Sequence, residues 1–548
     1  MKAVDLFVKC LENEGVDTIF GVPGEENAHF MMALENSTIE FVLTRHEQGA
    51  AFMADVYGRL TGKPGVCLGT LGPGATNLVT GVADGNMDRA PLIVLTGQAS
   101  TDRQHKESHQ SMDVVSMFRP ITKWAHSINH PGNIPEIIRK AFKLATTEKP
   151  GACHIELPED VAQMETSGAP LSADNLRRSV PDQKTTERAL ELIQSAKRPV
   201  ILAGNGAIRT RASKQLTRFA EITGIGVLST FMGKGAIPRE SPQCLYTIGL
   251  QSKDIVNCCI DAADLVIAIG YDLVEYHPHL WNPDGDKKIL HIDFLPAEID
   301  KNYLPKVEIA GDIAHTLWSF NEELEGKKFD FDFSSQKTAR EEMTKEIAAH
   351  KDDDTEGSIR PQKLLWDIRE VLGPEDILLS DVGAHKMWIA RYYHCDAPNT
   401  CLISNGFCSM GFAFPGAIAA QRVNPDRHVI AVCGDGGFLM NVQEMETAKR
   451  LNSKIIVCVW EDKGYGLISW KQDNEFGKHT RLSFENPDFC MLAEAFGWLG
   501  IRVNRSKDFK GALEKAIEHN GPTLISLPVD YRENALLSKR LGKIACPI

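Results

Sequence analysis

Residues 429–464 read VIAVCGDGGFLMNVQEMETAKRLNSKIIVCVWEDKG. The run 429–433 is short and wholly apolar, as a strand buried on both faces of a parallel sheet is. Glycines follow, and a chain without Cβ atoms can turn sharply and approach a ligand closely. Residues 441–450 have a helical pattern, and 454–460 form a second apolar strand. This is a βαβ unit, and it puts Asp435 and Asp462 at the carboxyl ends of neighbouring parallel strands. Open α/β sheets bind ligands at such ends. A hard cation such as Mg²⁺ takes carboxylate and phosphate oxygens, and the N–H groups of Gly436 and Gly437 are placed to cradle phosphate. Gly-Asp-Gly alone is equally a turn whose aspartate caps a helix. The second acidic strand end turns the reading toward a diphosphate–metal site.

Working outward, the 548 residues exceed what one core supports. The spacing predicts three α/β blocks with parallel sheets, each doubly wound. The first spans 1–164, with strands at 18–20, 40–43, 66–70, 92–95 and 152–156. The second spans 186–320, with strands at 199–203, 226–228, 265–269 and 288–292. The third spans 362–548, with strands at 376–380, 429–433, 454–460 and 523–527. A polar stretch, 165–183, and a charged one, 321–361, read as linkers, the second with one helical piece, TAREEMTKEIAAH, at 338–350. The first and third blocks share a loose plan, each with a glycine-rich loop leading into a helix.

Composition is that of an ordinary soluble protein, 43% hydrophobic and 24% charged. A net charge of −13 argues against nucleic acid or an anionic membrane as partner. The N-terminal residues 1–15 form an acidic amphipathic helix rather than a signal peptide, and no apolar run is long enough to span a membrane. Thirteen cysteines without CxxC or zinc spacing point to reduced thiols and a cytoplasmic setting.

Two further stretches lie in the first block. Residues 44–54, TRHEQGAAFMA, end a strand and start a small-residue helix at Glu47. That glutamate suits the helix dipole, or it is a buried carboxylate able to move a proton. Residues 69–78, GTLGPGATNL, make a tight turn between strand and helix.

Taken together, RHEQGAAFMADVYGRLTGKPG, TLGPGATNL, SDVGAHKMW, SNGFCSMGFAFPGAIAA and GDGGFLMNVQEMETA resemble the thiamine-diphosphate-dependent enzymes of the acetohydroxyacid synthase and pyruvate decarboxylase superfamily, over nearly the whole chain. The resemblance implies a pyrimidine-binding, a middle and a diphosphate-binding domain. It implies that Glu47 hydrogen-bonds the aminopyrimidine ring of the cofactor, and that Asp435, Asp462 and the Gly464 carbonyl hold the metal. Glu461-Asp462 stands where the family usually has Asn-Asn, which keeps a hard oxygen donor and adds charge. Met410 matches the apolar prop beneath the cofactor, and the Cys408 carbonyl matches the acceptor of its amino group. Pro73, Asn77, Val382, Gly383, His385, Gly434, Gly436, Gly437 and Tyr465 fall at cofactor-facing positions.

HQSMD at 109–113, FRPITKW at 118–124 and IGYDLVEYHPHLWNPDGDKKILHID at 269–293 are similar to the catabolic acetolactate synthases. Gln110 then matches the glutamine that contacts the bound intermediate. The implied reaction is decarboxylation of pyruvate and ligation to a second 2-keto acid, giving 2-acetolactate. Another carboligase or decarboxylase, or a flavin-dependent pyruvate oxidase, is the alternative. FAD stays open: FMGKGAIP and AGNGA resemble the flavin-containing group, whereas the arginine that group carries after the Ile-Gly turn is missing here. The family places its cofactor between two subunits, which implies a homodimer or homotetramer acting on small 2-keto acids.

Overall fold

The computed structural model describes residues 1–173, 178–209, 212–250 and 255–534. Three six-stranded parallel sheets account for its strands. The first holds Thr18–Gly21 (β1), Glu40–Leu43 (β2), Gly65–Gly69 (β3), Leu92–Gln98 (β4), Trp124–Ser127 (β5) and Ala152–Pro158 (β6). The second holds Pro199–Ala203 (β7), Val227–Ser229 (β8), Cys244–Thr247 (β9), Leu265–Ile269 (β10), Lys288–Asp293 (β11) and Val307–Ala310 (β12). The third holds Ile377–Ser380 (β13), Cys401–Ile403 (β14), Val429–Gly434 (β15), Ile456–Glu461 (β16), Leu499–Arg502 (β17) and Thr523–Pro528 (β18). Central strands such as β4, β7 and β10 are buried along their whole length, as continuous Val/Ile/Leu runs covered on both faces must be.

Strand order separates the sheets into two kinds. The first runs β2-β1-β3-β4-β6-β5 and the third β14-β13-β15-β16-β18-β17, which is one order used twice. The middle sheet runs β12-β11-β10-β7-β8-β9, the order of dinucleotide-binding folds. In each sheet the order reverses near the centre, between β1 and β3, β7 and β10, and β13 and β15. Crevices open there beyond the strand ends.

The chain divides into two compact units. One takes Met1–Arg177, Gly406–Asp426 and Gly437–Ile455, and the other takes the remainder. In the first unit the helix Ala413–Val423 packs on the helix Glu47–Thr61. Phe412 sits edge-on to Phe52, ring centroids 5.8 Å apart, beneath the Arg59 guanidinium. Arg59 is itself clamped by Asp55 at 2.7 Å and Asp88 at 2.8 Å. The second unit contains the middle and third sheets and their own cores.

Some sequence expectations need correction. The N-terminal helix is present as Ala3–Asn13. The helix expected over 441–450 is shorter, Glu444–Arg450, because a separate short helix, Asp435–Leu439, begins at the aspartate. The helical piece expected over 338–350 within the charged linker is present and begins earlier, as the fifteen-residue helix Ser334–Ala348, and it is no mere spacer: Ala339 and Met343 are buried in the middle core. Its charge masks an apolar pair at i and i+4, which share a helix face. Gln336 on that helix donates to the Pro199 carbonyl and accepts the Gly226 N–H. Cys67, Cys433 and Cys458 are buried. No helix among the described residues is long and apolar enough to cross a membrane.

Candidate active site

In the second unit the geometry centres on Asp435, 1% exposed at the end of β15. Its Oδ1 accepts the Gly436 N–H at 2.8 Å. Its Oδ2 accepts the N–H groups of Asp462 and Lys463 at 3.1 and 2.7 Å, and the Asn486 side-chain amide at 2.8 Å. A carboxylate so held is fixed in direction before any ligand arrives. Asp462, at the end of β16, stands beside it. Burial, reinforced by the Asp435 charge, pushes the Asp462 carboxyl up to about 7, against the pull of the Gly464 N–H. Two desolvated carboxyls with one shared field do not both ionise readily unless a cation joins them. That donor chemistry fits a hard divalent ion with phosphate oxygens completing its shell.

Around this pair lie buried polar atoms with no hydrogen-bond partner: His385 Nε2, Asn486 Oδ1 and the Tyr531 hydroxyl. Burial lowers the His385 imidazole to about 4, so the ring is neutral at physiological pH. Its edge covers Gly383 and Gly434, where a Cβ would meet ring atoms at 2.7 and 3.2 Å. Burial, and then the Asp462 and Asp435 charges, raise the Tyr531 phenol well above its ordinary value. Buried polar atoms without partners are uncommon and call for a ligand. A diphosphate with its metal would satisfy this set. Val382 is buried at the β13 end, and Gly383 opens the helix Ala384–Tyr392. Tyr465 and Phe484 lie against Gly436, where a Cβ would be 2.9 Å from the Tyr465 ring.

One expectation changes here. The Gly436 N–H, read as a phosphate donor, is taken by the neighbouring Asp435 carboxylate, the nearest acceptor at a helix start. Gly437, the other expected donor, lies in the short helix Asp435–Leu439. Asn486 was not legible as a site residue: it lies 51 residues beyond Asp435 in the chain, in a loop without periodicity.

In the first unit Glu47 opens the helix Glu47–Thr61 and is 8% exposed. Asn77 donates to its Oε2 at 2.9 Å. Its Oε1 faces Gly74, 3.3 Å from where a Cβ would be. Pro73 begins the helix Pro73–Met87, the favoured place for proline. Gly72 before it has φ of +54°, and Gln110 packs on it so closely that a Cβ would lie 2.7 Å from the Gln110 carbonyl oxygen. Glu47, the 72–74 turn, Asn77 and Gln110 therefore converge. Gln110 and Cys408 both have positive φ, 56° and 59°, a strain that non-glycine residues keep mostly at functional positions. Cys408 and Met410 lie in the 406–412 segment, tied into this unit by the Gly406 N–H on Asp88 at 2.6 Å and the Ser409 N–H on Asp84 at 3.4 Å. Glu444, fully buried, accepts the backbone N–H groups of Arg45 and His46 at 3.0–3.2 Å and so holds the strand-to-helix turn that presents Glu47.

Three family models match in chain order. They are the N-terminal TPP binding domain of thiamine pyrophosphate enzymes over residues 1–117, the central domain over 186–320, and the C-terminal TPP binding domain over 381–527. The chain belongs to the thiamine pyrophosphate enzymes. It is homologous to acetolactate synthases. It is 34% identical to the acetolactate synthase of Bacillus subtilis (strain 168), over 99% of this chain and 96% of that one. It is 37% identical to a probable acetolactate synthase large subunit of Methanocaldococcus jannaschii, over 97% and 93%. It is 36% identical to the catabolic acetolactate synthase of Raoultella terrigena, over 98% and 96%. Thiamine diphosphate is thus the cofactor of this thiamine pyrophosphate enzyme.

FAD fits poorly. The middle sheet has the dinucleotide order, and Gly204, Gly206 and Gly270 stand at its switch point. The glycines there pack tightly on one another. A Cβ on Gly204 or Gly206 would come within 2.6 Å of the Gly270 turn. Glu275, 9% exposed, lies over the loop and takes the Asn205 N–H at 3.0 Å, a donor that a pyrophosphate would need. It also accepts the Thr230 hydroxyl and the Asp272 N–H. A carboxyl group thus holds the backbone donor that a dinucleotide phosphate would use.

Proposed function

We propose that this enzyme is an acetolactate synthase: it decarboxylates pyruvate and joins the two-carbon fragment to a second 2-keto acid, giving 2-acetolactate and CO₂. When bound, thiamine diphosphate supplies the electron sink that decarboxylation of a 2-keto acid needs. In this reading Asp435 and Asp462, with the Gly464 carbonyl, hold Mg²⁺ and the diphosphate. His385, Gly434, Gly437 and Tyr465 line the diphosphate. Met410 and the Cys408 carbonyl support the ring system. Glu47, positioned by Asn77, exchanges a proton with the pyrimidine, and Gln110 faces the substrate.

The observation that carries the choice of ligation is the state of His46. It precedes Glu47 in the chain, and its Nδ1 accepts the Gln48 N–H at 3.1 Å, capping the helix. With Nδ1 committed to the cap, this imidazole is tied to the helix start, and the residue packed on the 72–74 turn near Glu47 is Gln110. Full-length homology to chains named acetolactate synthase supports the same choice.

The test supplies the purified protein with pyruvate, Mg²⁺ and thiamine diphosphate and measures acetolactate against acetaldehyde. Acetolactate as the main product is expected, and acetaldehyde as the main product refutes the ligase reading. The family arrangement further suggests a cytoplasmic homodimer or homotetramer with sites shared between subunits.

A further inference from the structure

Outside the Asp435 site, the second unit contains a cavity of about 210 Å³ walled by Arg239, Arg340, Arg369, Tyr246, Trp366 and His394, among others. Its cations are poorly neutralised. Arg369 is 8% exposed; it donates to the Tyr393 hydroxyl at 2.9 Å and to the Leu372 and Gly373 carbonyls at 2.6 Å, and its Nε has no partner. Arg340 donates to the carbonyls of Cys244 and Arg239 and lies over the Tyr246 ring. Neither guanidinium has a carboxylate partner among the described residues. Arg239 is paired with Asp396 at 3.0 Å and Glu240 at 3.4 Å. The acids on the cavity wall are Glu240 and Glu370, with side chains 83% and 47% exposed, and each faces another cation, Arg239 or Lys510. His394 is buried and held neutral, its Nε2 on the Arg391 carbonyl.

A guanidinium bonded only to neutral acceptors is one that an anion stabilises, because a charge-assisted pair is stronger than a bond to a carbonyl. In a chain of net charge −13, a local surplus of unpaired arginine is a specific feature rather than background. The remaining wall is flat and apolar: Trp366 and Tyr246 with Ile347, Ala348 and Leu365. The volume is below the roughly 300–1,000 Å³ of drug-sized sites and suits a single ring with one charged group.

We propose that this cavity binds a small organic anion, with a phosphate or carboxylate on Arg340 and Arg369 and a flat apolar body against Trp366 and Tyr246. The ligand would bridge the helices Ser334–Ala348 and Pro361–Val371, which carry Arg340 and Arg369, and the Tyr246 strand β9. It would therefore tie the middle sheet to the third block's first helix.

The experiment titrates phenyl phosphate, benzoate and neutral benzyl alcohol into holoenzyme saturated with thiamine diphosphate and Mg²⁺, by isothermal calorimetry and thermal melting. Saturation with cofactor keeps the diphosphate site occupied. At least one anion is expected to bind once per chain and raise Tm, with no response to the alcohol, and the preferred anion identifies the head group. Arg340→Gln, at a partly exposed position bonded only to carbonyls, should weaken binding by roughly tenfold or more while pyruvate turnover stays unchanged. Arg369→Gln should weaken it too, and the Arg340 variant decides the matter if the Arg369 variant does not fold. Absence of binding by both anions, undiminished binding by Arg340→Gln, or displacement of the anion by excess thiamine diphosphate would each overturn the proposal.

Discussion

Replacing Glu275 by glutamine should change how stability depends on pH. Burial, with the Asp272 charge second, raises the Glu275 carboxyl from 4.5 to about 8, even though the Thr230 hydroxyl and the Asn205 and Asp272 N–H groups favour its ionised form. Between those values the folded chain holds a proton that the unfolded chain has lost. Stability from this group is therefore complete below pH 4.5 and is lost as pH rises toward 8. At about 1.4 kcal/mol per pH unit, the interval amounts to about 5 kcal/mol. Glutamine keeps an acceptor for the Asn205 N–H and has no proton to lose, so its profile lacks this descent. Against it stands the change in the Thr230 contact, about 1 kcal/mol. Near pH 5 the two proteins should be similar, and by pH 8.5 the variant should be the more stable by several kcal/mol. Urea unfolding followed by circular dichroism at half-unit pH steps measures this, since titrations common to both proteins cancel in the difference. Parallel profiles would mean that Glu275 is already ionised in the folded protein at neutral pH. The account of a carboxyl sealed in the dinucleotide crevice would then fail.

Glu47→Gln should lower turnover by 10²-fold or more, the scale of one acid–base group, while calorimetry finds thiamine diphosphate affinity within a few-fold of wild type; a large loss of affinity would assign Glu47 to binding instead. Mixing Glu47→Gln with Asp435→Asn subunits, each inactive alone, should restore about a quarter of wild-type activity if sites are shared across a two-fold interface; no recovery after verified subunit exchange would place both residues in one chain. Glu444→Ala leaves the Arg45 and His46 N–H groups without their acceptor and should cost about 2–4 kcal/mol in urea unfolding, with Glu444→Gln largely spared.

The strands that sequence reading missed share a position. Its four middle-sheet strands, β7, β8, β10 and β11, are interior. The missed strands, β5, β9, β12, β14 and β17, all lie at sheet edges. An edge strand has one hydrogen-bonded neighbour and less need of a continuous apolar run: Trp124–Ser127 is half-buried throughout, and Val307–Ala310 alternates. Periodicity is weak over three or four such residues. The site behaved likewise. Asp435 and Asp462 were legible because each follows an apolar strand directly. Asn486 and Glu444 were not, since their partners are 51 and nearly 400 residues away along the chain. A glutamate within EMETAKR looks like part of a solvated helix face until the fold turns it inward.

The interleaving of the first unit bears on how the protein is made. Helix Glu47–Thr61 hides Ala50, Ala51 and Phe52, and Phe412, which meets Phe52, is translated 360 residues later. At ribosomal speeds of roughly 5–20 residues per second, that face waits about 20–70 s for its cover. During that time the nascent chain has an oily surface and a turn still without its Glu444 acceptor, a natural client for a holding chaperone. An amino-terminal fragment expressed alone would stay in that state permanently.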